Sequence, residues 1–362
     1  MASTGTIDRI QSIDFFRGIT MFLLVGEFTG LYSLITDPSM EGSIFYWVGK
    51  QFHHHAWNGL RFWDLVQPFF MFLVGVSLPF AINKRSTESE TGISSHIIKR
   101  SVILLLLGWG LYCIGPGRIT FNFQNVLAQI AFTYLIAYLI MDRSLIFQIV
   151  FSIGLLGITE LLYRLFPVEG FNQAFVAAHN FGEWIEYLID GETPGGHWVS
   201  INALPTAAHT IWGVLVGKLL MSGKPSRDVL KQLVIAGILL VLVGYLMDPV
   251  TPIIKRIATS SFVIVSGGWA ILLMALSYWV IDIKKKDRIV FFFGVVSMNS
   301  LFIYVFAHLG GCEFIEKILH PFTYLLFDWG GLSAPIITSV LVWFMMWYLC
   351  YWMYKKRLFI KI

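Results

Sequence analysis

The stretch His53-His54-His55-Ala56-Trp57-Asn58-Gly59-Leu60-Arg61-Phe62-Trp63-Asp64-Leu65-Val66-Gln67-Pro68-Phe69-Phe70-Met71-Phe72-Leu73-Val74-Gly75-Val76-Ser77-Leu78-Pro79-Phe80-Ala81-Ile82 changes character at Asp64. Before it stand three imidazoles, an amide and a guanidinium. After it comes an apolar run over 64–82, and about 20 residues as a helix cross the roughly 30 Å of hydrocarbon in a bilayer. Comparable runs recur near 18–36, 101–116, 123–141, 145–166, 204–221, 230–247, 260–281, 289–309 and 333–354. The chain is 56% hydrophobic and 13% charged, with mean hydropathy +0.70, well outside the usual composition of soluble domains. The reading is an all-α, polytopic transmembrane bundle of about ten spans, forming one integral membrane domain over 1–362.

Lys and Arg orient it. With the N- and C-termini cytoplasmic, only Lys50, Arg61, Arg118, Arg164, Lys255, Arg256 and Lys317 of the 26 basic residues fall outside. The segment 310–332 is expected to lie in the interface: Cys312–Leu319 is amphipathic and then meets Pro321, and a further crossing would put the basic tail outside. No apolar core with a cleavage site follows Met1, so no removable signal peptide is expected. Cys113, Cys312 and Cys350 are too few and too scattered for a disulfide framework or a zinc site.

Two external loops then stand out, 37–63 and 167–203. The first holds the histidines. The second mixes Glu169, Glu183, Glu186, Asp190 and Glu192 with His179, His197, Trp184 and Trp198. Acceptors beside aromatic rings suit sugars or amines, while a solvated cap with interfacial tryptophans is the plainer alternative. Within the spans, Glu27 is the oddest residue, because an uncompensated carboxylate at depth is costly. It either lines a cavity or snorkels to the outer interface. Gln129, His209, Asn299 and His308 are each expected to make helix–helix hydrogen bonds, and Gly213 with Gly217 hints at close packing. Three adjacent histidines cannot easily place all their rings on one ion, so no metal is expected.

Residues 13–82 resemble the start of the heparan-α-glucosaminide N-acetyltransferase family. A Leu-Asp-x-Phe-Arg-Gly element is matched by Ile13-Asp14-Phe15-Phe16-Arg17-Gly18. The family's second signature is matched by His54-His55-Ala56-Trp57-Asn58-Gly59-Leu60, by Asp64-Leu65-Val66-Gln67-Pro68-Phe69-Phe70 and by Phe72-Leu73-Val74-Gly75-Val76-Ser77. Later likenesses are Asn202-Ala203-Leu204-Pro205-Thr206, the run from Pro252 to Phe262, Gly268-Trp269-Ala270 and Ser297-Met298-Asn299-Ser300-Leu301. The resemblance implies a ten-helix acyltransferase that moves acetyl from cytosolic acetyl-CoA to a glucosamine amine across the membrane. It also implies a homodimer, and it places the catalytic histidine on His54. Gln67 stands where relatives usually carry Phe, and Glu27 near a position where they tend to carry Asn.

The residues suit that chemistry. Imidazole at His54 can take the proton of the attacking amine, or carry the acetyl group transiently. Asp64 can orient that ring or simply cap the second span. Asn58 offers a donor for an oxyanion. Glu27, Trp57, Gln67 and Trp198 are the candidate substrate contacts, with Trp57 and Trp63 equally readable as belt residues. Acetyl-CoA is expected as co-substrate, entering from the basic side, where Arg17, Lys84, Arg85 and Arg288 are candidates for its phosphates. The expected partners are an amino-sugar or glycan acceptor and membrane lipid, with no nucleic acid. The expected location is a bacterial inner membrane, with the catalytic loop facing the periplasm. Two alternatives stand beside this reading. One is an O-acetyltransferase of cell-envelope polysaccharide. The other is a proton-coupled transporter using Glu27, His209 and His308, against which no inverted repeat is found.

Overall fold

A computed structural model describes residues 10–87, 92–193 and 195–360. In chain order the α-helices are α1 (Gln11–Phe28), α2 (Leu31–Leu34), α3 (Ile44–Lys50), α4 (Val66–Thr87), α5 (Ile93–Ile114), α6 (Val126–Ile140), α7 (Leu145–Arg164) and α8 (Phe181–Asp190). They continue with α9 (Ala203–Leu220), α10 (Ser226–Met247), α11 (Ser260–Ser277), α12 (Asp287–Met298), α13 (Ser300–His308), α14 (Gly311–Phe327) and α15 (Ser333–Lys355). Among the described residues β-structure is confined to one isolated bridge, Asn58 with Ile254. The fold is a helical bundle of the polytopic kind.

Among the described residues seven helices are long and apolar enough to cross a membrane. An eighth span is available if α12 and α13, bent by 65° at Asn299, are counted together. The expected ten therefore include two helices that fall short. α1 carries Asp14, Arg17 and Glu27 within its 18 residues. α6 has 15 residues, and at 1.5 Å each it reaches only about 22 Å, short of the hydrocarbon thickness.

The chain divides into two compact units. The first comprises the chain up to Ile13, Ala56–Leu60 and Gln67–Ile283. Its centre is α9, which packs on α6, α7 and α11. Here the backbones come close. A Cβ built on Gly75 would fall on the Thr210 carbonyl, one on Gly213 on the Phe72 carbonyl, and one on Gly217 on the Val76 carbonyl. The small-residue spacing read at Gly213 and Gly217 thus lets α9 lie directly against α4. α10 and α11 meet in the same way, with a Cβ on Gly244 lying 2.6 Å from the Val265 nitrogen. Without a hydrophobic drive between helices in lipid, such close backbone approach is what holds a bundle together. Polar groups inside the spans serve the same end: His209 Nε2 lies 3.0 Å from the Val263 carbonyl and 2.9 Å from Ser266 Oγ, and Trp212 Nε1 donates to Ser152 Oγ at 3.0 Å. The first amides of α1, Gln11 and Ser12, both donate to the Asp282 carboxylate at 3.2 Å. A carboxylate at a helix N-terminus is favourably placed against the dipole.

The second unit comprises Asp14–His55, Arg61–Val66 and the chain from Lys284 onward. α15 packs on α2, α12 and α14. Trp343 Nε1 donates to the Phe22 carbonyl at 2.8 Å, and Ser339 Oγ to that of Thr29 at 2.7 Å. The segment expected at the interface forms α14, which continues through Pro321 to Phe327 instead of ending there. It keeps Phe314, Ile318, Phe322 and Leu325 exposed, and Thr323 meets Thr338 of α15 at 2.7 Å. Both long loops are also more ordered than their composition suggests: 37–63 folds a 3-10 turn at Pro38–Met40, α3, and a second 3-10 turn at Phe62–Leu65, while 167–203 contains α8.

Gly213→Leu is expected to lower the melting temperature in detergent by several degrees. The added atoms must part α9 from the α4 backbone, and overpacking of this kind costs about 1–3 kcal/mol. Gly110→Ala, in a helix where a Cβ meets nothing within 4 Å, is expected to leave it unchanged or slightly raised. Thermal unfolding of both variants checks the contrast.

Candidate active site

Asp64 closes the 3-10 turn Phe62–Leu65 and is 1% exposed. A buried carboxylate is tolerable only when its oxygens are satisfied. Here Oδ1 faces His54 Nδ1 at 2.9 Å. Oδ2 accepts from the Arg61 amide at 2.8 Å and from the His55 amide at 3.2 Å. The nine residues between His54 and Asp64 therefore fold back on the carboxylate. Arg61 adds a second tie, its guanidinium donating to the His54 carbonyl at 3.2 Å. Facing a carboxylate, which only accepts, the His54 Nδ1 carries the hydrogen and Nε2 is left with its lone pair. The His54 side chain is 30% exposed. A histidine oriented by a buried carboxylate is the arrangement found around general bases and nucleophiles.

Glu27 stands beside this pair, and it is the tryptophan next to Asp64 that brings it there. Trp63 Nε1 donates to Glu27 Oε1 at 3.0 Å. Glu27 lies exposed in the last turn of α1, so its carboxylate is not enclosed within the span. Trp63 itself is a buried core residue, 5.2 Å from the Tyr32 ring, and not a belt tryptophan. His53 is a structural residue, its Nε2 2.9 Å from Thr36 Oγ1 and 3.1 Å from the Tyr32 carbonyl. His55 Nδ1 is buried without a hydrogen-bond partner.

The remaining sequence candidates lie in the first unit. Asn58 is exposed, and its backbone pairs with Ile254 while the next amide, Gly59, donates to the Ile253 carbonyl at 2.8 Å. Trp57 Nε1 donates to the Phe175 carbonyl at 2.7 Å. Gln67 is bonded through its amide nitrogen to Gln129 Oε1, and Gln129 in turn donates to the Gln124 carbonyl. Gln67 thus carries a polar link between α4 and α6. Trp198 lies between two cations, Lys255 Nζ at 5.0 Å and Arg256 Cζ at 5.1 Å from its ring.

The phosphate candidates divide as well. Arg17, in α1, is 3.6 Å from Asp14. Lys84 and Arg85 are in the last turn of α4, whose dipole favours cations there. Arg288 lies in α12, and its side chain is outside the described residues. Among the described residues no group of three His, Cys, Asp or Glu side chains is gathered as for a metal.

A second histidine–carboxylate pair escaped the sequence reading. His197 Nδ1 is 2.8 Å from Glu183 Oε1, with Glu183 fully buried. Glu183 and Glu186, three apart on α8, turn the same face inward. Glu186 accepts from the Ser200 amide at 2.5 Å and from Gln124 Nε2 at 3.1 Å. Burial pushes both carboxyls above their ordinary range. At Glu183 the neighbouring His197 opposes the shift, and at Glu186 the Ser200 amide does. The signal was present in the amphipathic spacing of α8, but its partner lies beyond a turn that sequence does not resolve.

Two relatives match the chain almost end to end. The Mus musculus protein named heparan-alpha-glucosaminide N-acetyltransferase is 24% identical over 426 residues, covering 99% of this chain and 61% of its own length. The Homo sapiens protein of the same name is 24% identical over 422 residues, covering 98% of this chain and 60% of its own. The chain therefore spans about three fifths of the curated relatives it matches. A family model described as "Domain of unknown function (DUF5009)" matches residues 9–114, which contain the His54–Asp64 pair.

Because the Glu186 carboxyl titrates higher in the fold than in the unfolded chain, its contribution to stability is complete below the ordinary carboxylate range. It is lost as pH rises through the raised value. Glu186→Gln keeps an acceptor for the Ser200 amide and removes the charge. The variant is expected to melt at the wild-type temperature at about pH 4 and above it at about pH 8, flattening the pH dependence. Calorimetry at the two pH values decides the matter.

Proposed function

We propose that this chain is an integral membrane acetyltransferase. It passes acetyl from acetyl-CoA, on the cytoplasmic side, to the amine of a glucosamine-type sugar on the outer side, with His54 as its reactive group. The observation that carries the reading is the buried Asp64 carboxylate holding the His54 ring at Nδ1. Support comes from relatives that are themselves N-acetyltransferases and match nearly the whole chain. The seven apolar helices also support it, as do their exposed faces, such as Ile146, Val150, Ile153, Ile158 and Leu161 of α7.

Two routes use the same ring. In one, His54 Nε2 takes the proton that the amine loses as its nitrogen bonds to the thioester carbon. In the other, Nε2 attacks that carbon itself, the C–S bond breaks, CoA leaves as the thiolate, and the acetyl-imidazole then acylates the amine. Either way a positive imidazole forms, and the Asp64 carboxylate 2.9 Å away stabilises it. Asn58 is the proposed oxyanion donor. Glu27, Trp57, Gln67 and Trp198 are the proposed acceptor contacts. Arg17, Lys84, Arg85 and Arg288 are proposed for the phosphates of CoA, whose negative charge suits both lysine and the arginine fork. On this reading both termini are cytoplasmic, in a bacterial inner membrane, and the distribution of Lys and Arg supports that orientation.

Purified protein given labelled acetyl-CoA and glucosamine is expected to release CoA and form N-acetylglucosamine. His54→Ala is expected to reduce the rate about 100-fold or more, in line with loss of a general base or nucleophile. Asp64→Asn is expected to cost about 10- to 100-fold, because the amide no longer enforces one tautomer. Wild-type rates in His54→Ala would remove the histidine from the reaction. Transfer to a glycan hydroxyl but not to an amine would make the protein an O-acetyltransferase.

A further inference from the structure

Arg61 touches both members of the His54–Asp64 pair. It stands three residues before Asp64, at the position that opens the 3-10 turn Phe62–Leu65. Its amide donates to Asp64 Oδ2 at 2.8 Å, and its guanidinium, through Nη1, donates to the His54 carbonyl at 3.2 Å. With His54 Nδ1 at 2.9 Å from Asp64 Oδ1, the three residues close a ring of contacts: imidazole to carboxylate, amide to carboxylate, guanidinium to carbonyl. All three belong to the second compact unit. Any residue but proline at position 61 supplies the amide. Only the bond to the His54 carbonyl calls for a long side chain with a donor at its end.

The charge on that side chain bears on the chemistry. A buried carboxylate bonded to an imidazole favours the protonated ring. A ring already protonated has no lone pair, and it can neither take a proton nor attack a thioester. Unopposed, the carboxylate that stabilises the imidazolium as it forms would make it the resting state.

The other groups around the pair do not oppose it. His53 Nε2 is engaged with Thr36 Oγ1 and the Tyr32 carbonyl, and His55 Nδ1 is buried without a hydrogen-bond partner. Lys50, at the end of α3, lies over the Tyr46 and Trp47 rings, 4.4 and 5.1 Å from their centroids. Glu27 of α1, bonded to Trp63, adds negative charge. Tyr32 of α2 gives its hydroxyl hydrogen to the Leu23 carbonyl. Arg61 is the cation tied to the histidine's own backbone, and a guanidinium does not lose its proton at any working pH.

We propose that Arg61 is a positioning residue for acetyl transfer: its guanidinium, docked on the His54 carbonyl, offsets the Asp64 charge and keeps the imidazole neutral in the resting protein. The role rests on the acetyltransferase reading for the reaction it serves. It divides the work around the ring. Asp64 selects the tautomer and meets the positive charge as it develops, and Arg61 sets the pH above which the ring is ready. A base is most effective when its pKa lies near the operating pH, and two opposite charges acting on one imidazole place it there.

Magnetic resonance titration of the His54 ring in the purified full-length protein tests this, in wild type, Arg61→Gln, Arg61→Ser and Arg61→Lys. Each variant keeps the amide that Asp64 accepts from. Serine is a favoured residue at the start of a helical turn, so Arg61→Ser stands in should Arg61→Gln fail to fold. Loss of the cation is expected to raise the midpoint of the ring by about half to one pH unit in both neutral variants. Arg61→Lys, which keeps the charge, is expected to keep the wild-type midpoint. With glucosamine as acceptor, CoA release by Arg61→Gln is expected to fall about 3- to 10-fold at pH values below the midpoint and to return to the wild-type rate above it. The acetyl-CoA concentration giving half the maximal rate is expected to be unchanged. An unmoved or lowered midpoint in the neutral variants, or a loss of rate equal at every pH, would overturn the role. Wild-type protein that releases no CoA with any acceptor would remove the acetyltransferase reading, while the ring midpoint still decides whether Arg61 controls the imidazole.

Discussion

A carboxylate taken out of water loses several kcal/mol of hydration, and the turn around Asp64 is built to return it. Three donors converge on that side chain: the His54 ring and the amides of His55 and Arg61. Charge-assisted bonds of this kind contribute roughly 1.5–3 kcal/mol each, and they offset the cost of the burial. That compensation folds residues 54–64 into one shape and sets the ring of His54 in one orientation. It also positions Trp63, whose indole nitrogen reaches Glu27. The orientation of the His54 ring is therefore a consequence of satisfying one buried charge.

The bundle obeys the same logic with smaller groups. Gly75, Gly213 and Gly217 let α4 and α9 touch backbone to backbone. Polar side chains in the spans find partners on neighbouring helices or on the loops that return to them. His209 bonds to α11, Gln67 to Gln129, and Asn299 bonds through both ends of its amide to the segment after α15, at Leu358 and Ile360. Asn299 also marks the 65° bend between α12 and α13, where the backbone groups released by the break need partners of their own.

Much of this was legible in the sequence because hydrophobic length is a local property. Every expected span corresponds to a helix except 289–309, which is the bent pair α12 and α13, and the intramembrane roles of Gln129 and His209 follow from the cost of an unpaired polar group in lipid. The two spans that fall short, α1 and α6, show the limit of counting: charge in one and length in the other remove them. The sequence left Asp64 open as a partner of His54 or as a cap of the second span, and their ten-position separation does not by itself bring them together. What stayed hidden depends on contacts between distant segments. Glu27 and Trp63 are separated by 36 residues. Trp57 is anchored to Phe175, 118 residues away. The His197–Glu183 pair needed α8, a helix inside a segment whose composition read as loop.

The central claim is that Asp64 fixes His54 with its hydrogen on Nδ1 and its lone pair on Nε2. Magnetic resonance of isotope-labelled ring nitrogens reads this directly, with a His54→Gln variant assigning the signal among the nine histidines of the chain. The expected spectrum shows a neutral ring protonated at Nδ1, and the two tautomers mixing when Asp64 is replaced by Asn. A ring protonated at Nε2, or one indifferent to the loss of Asp64, would contradict the account.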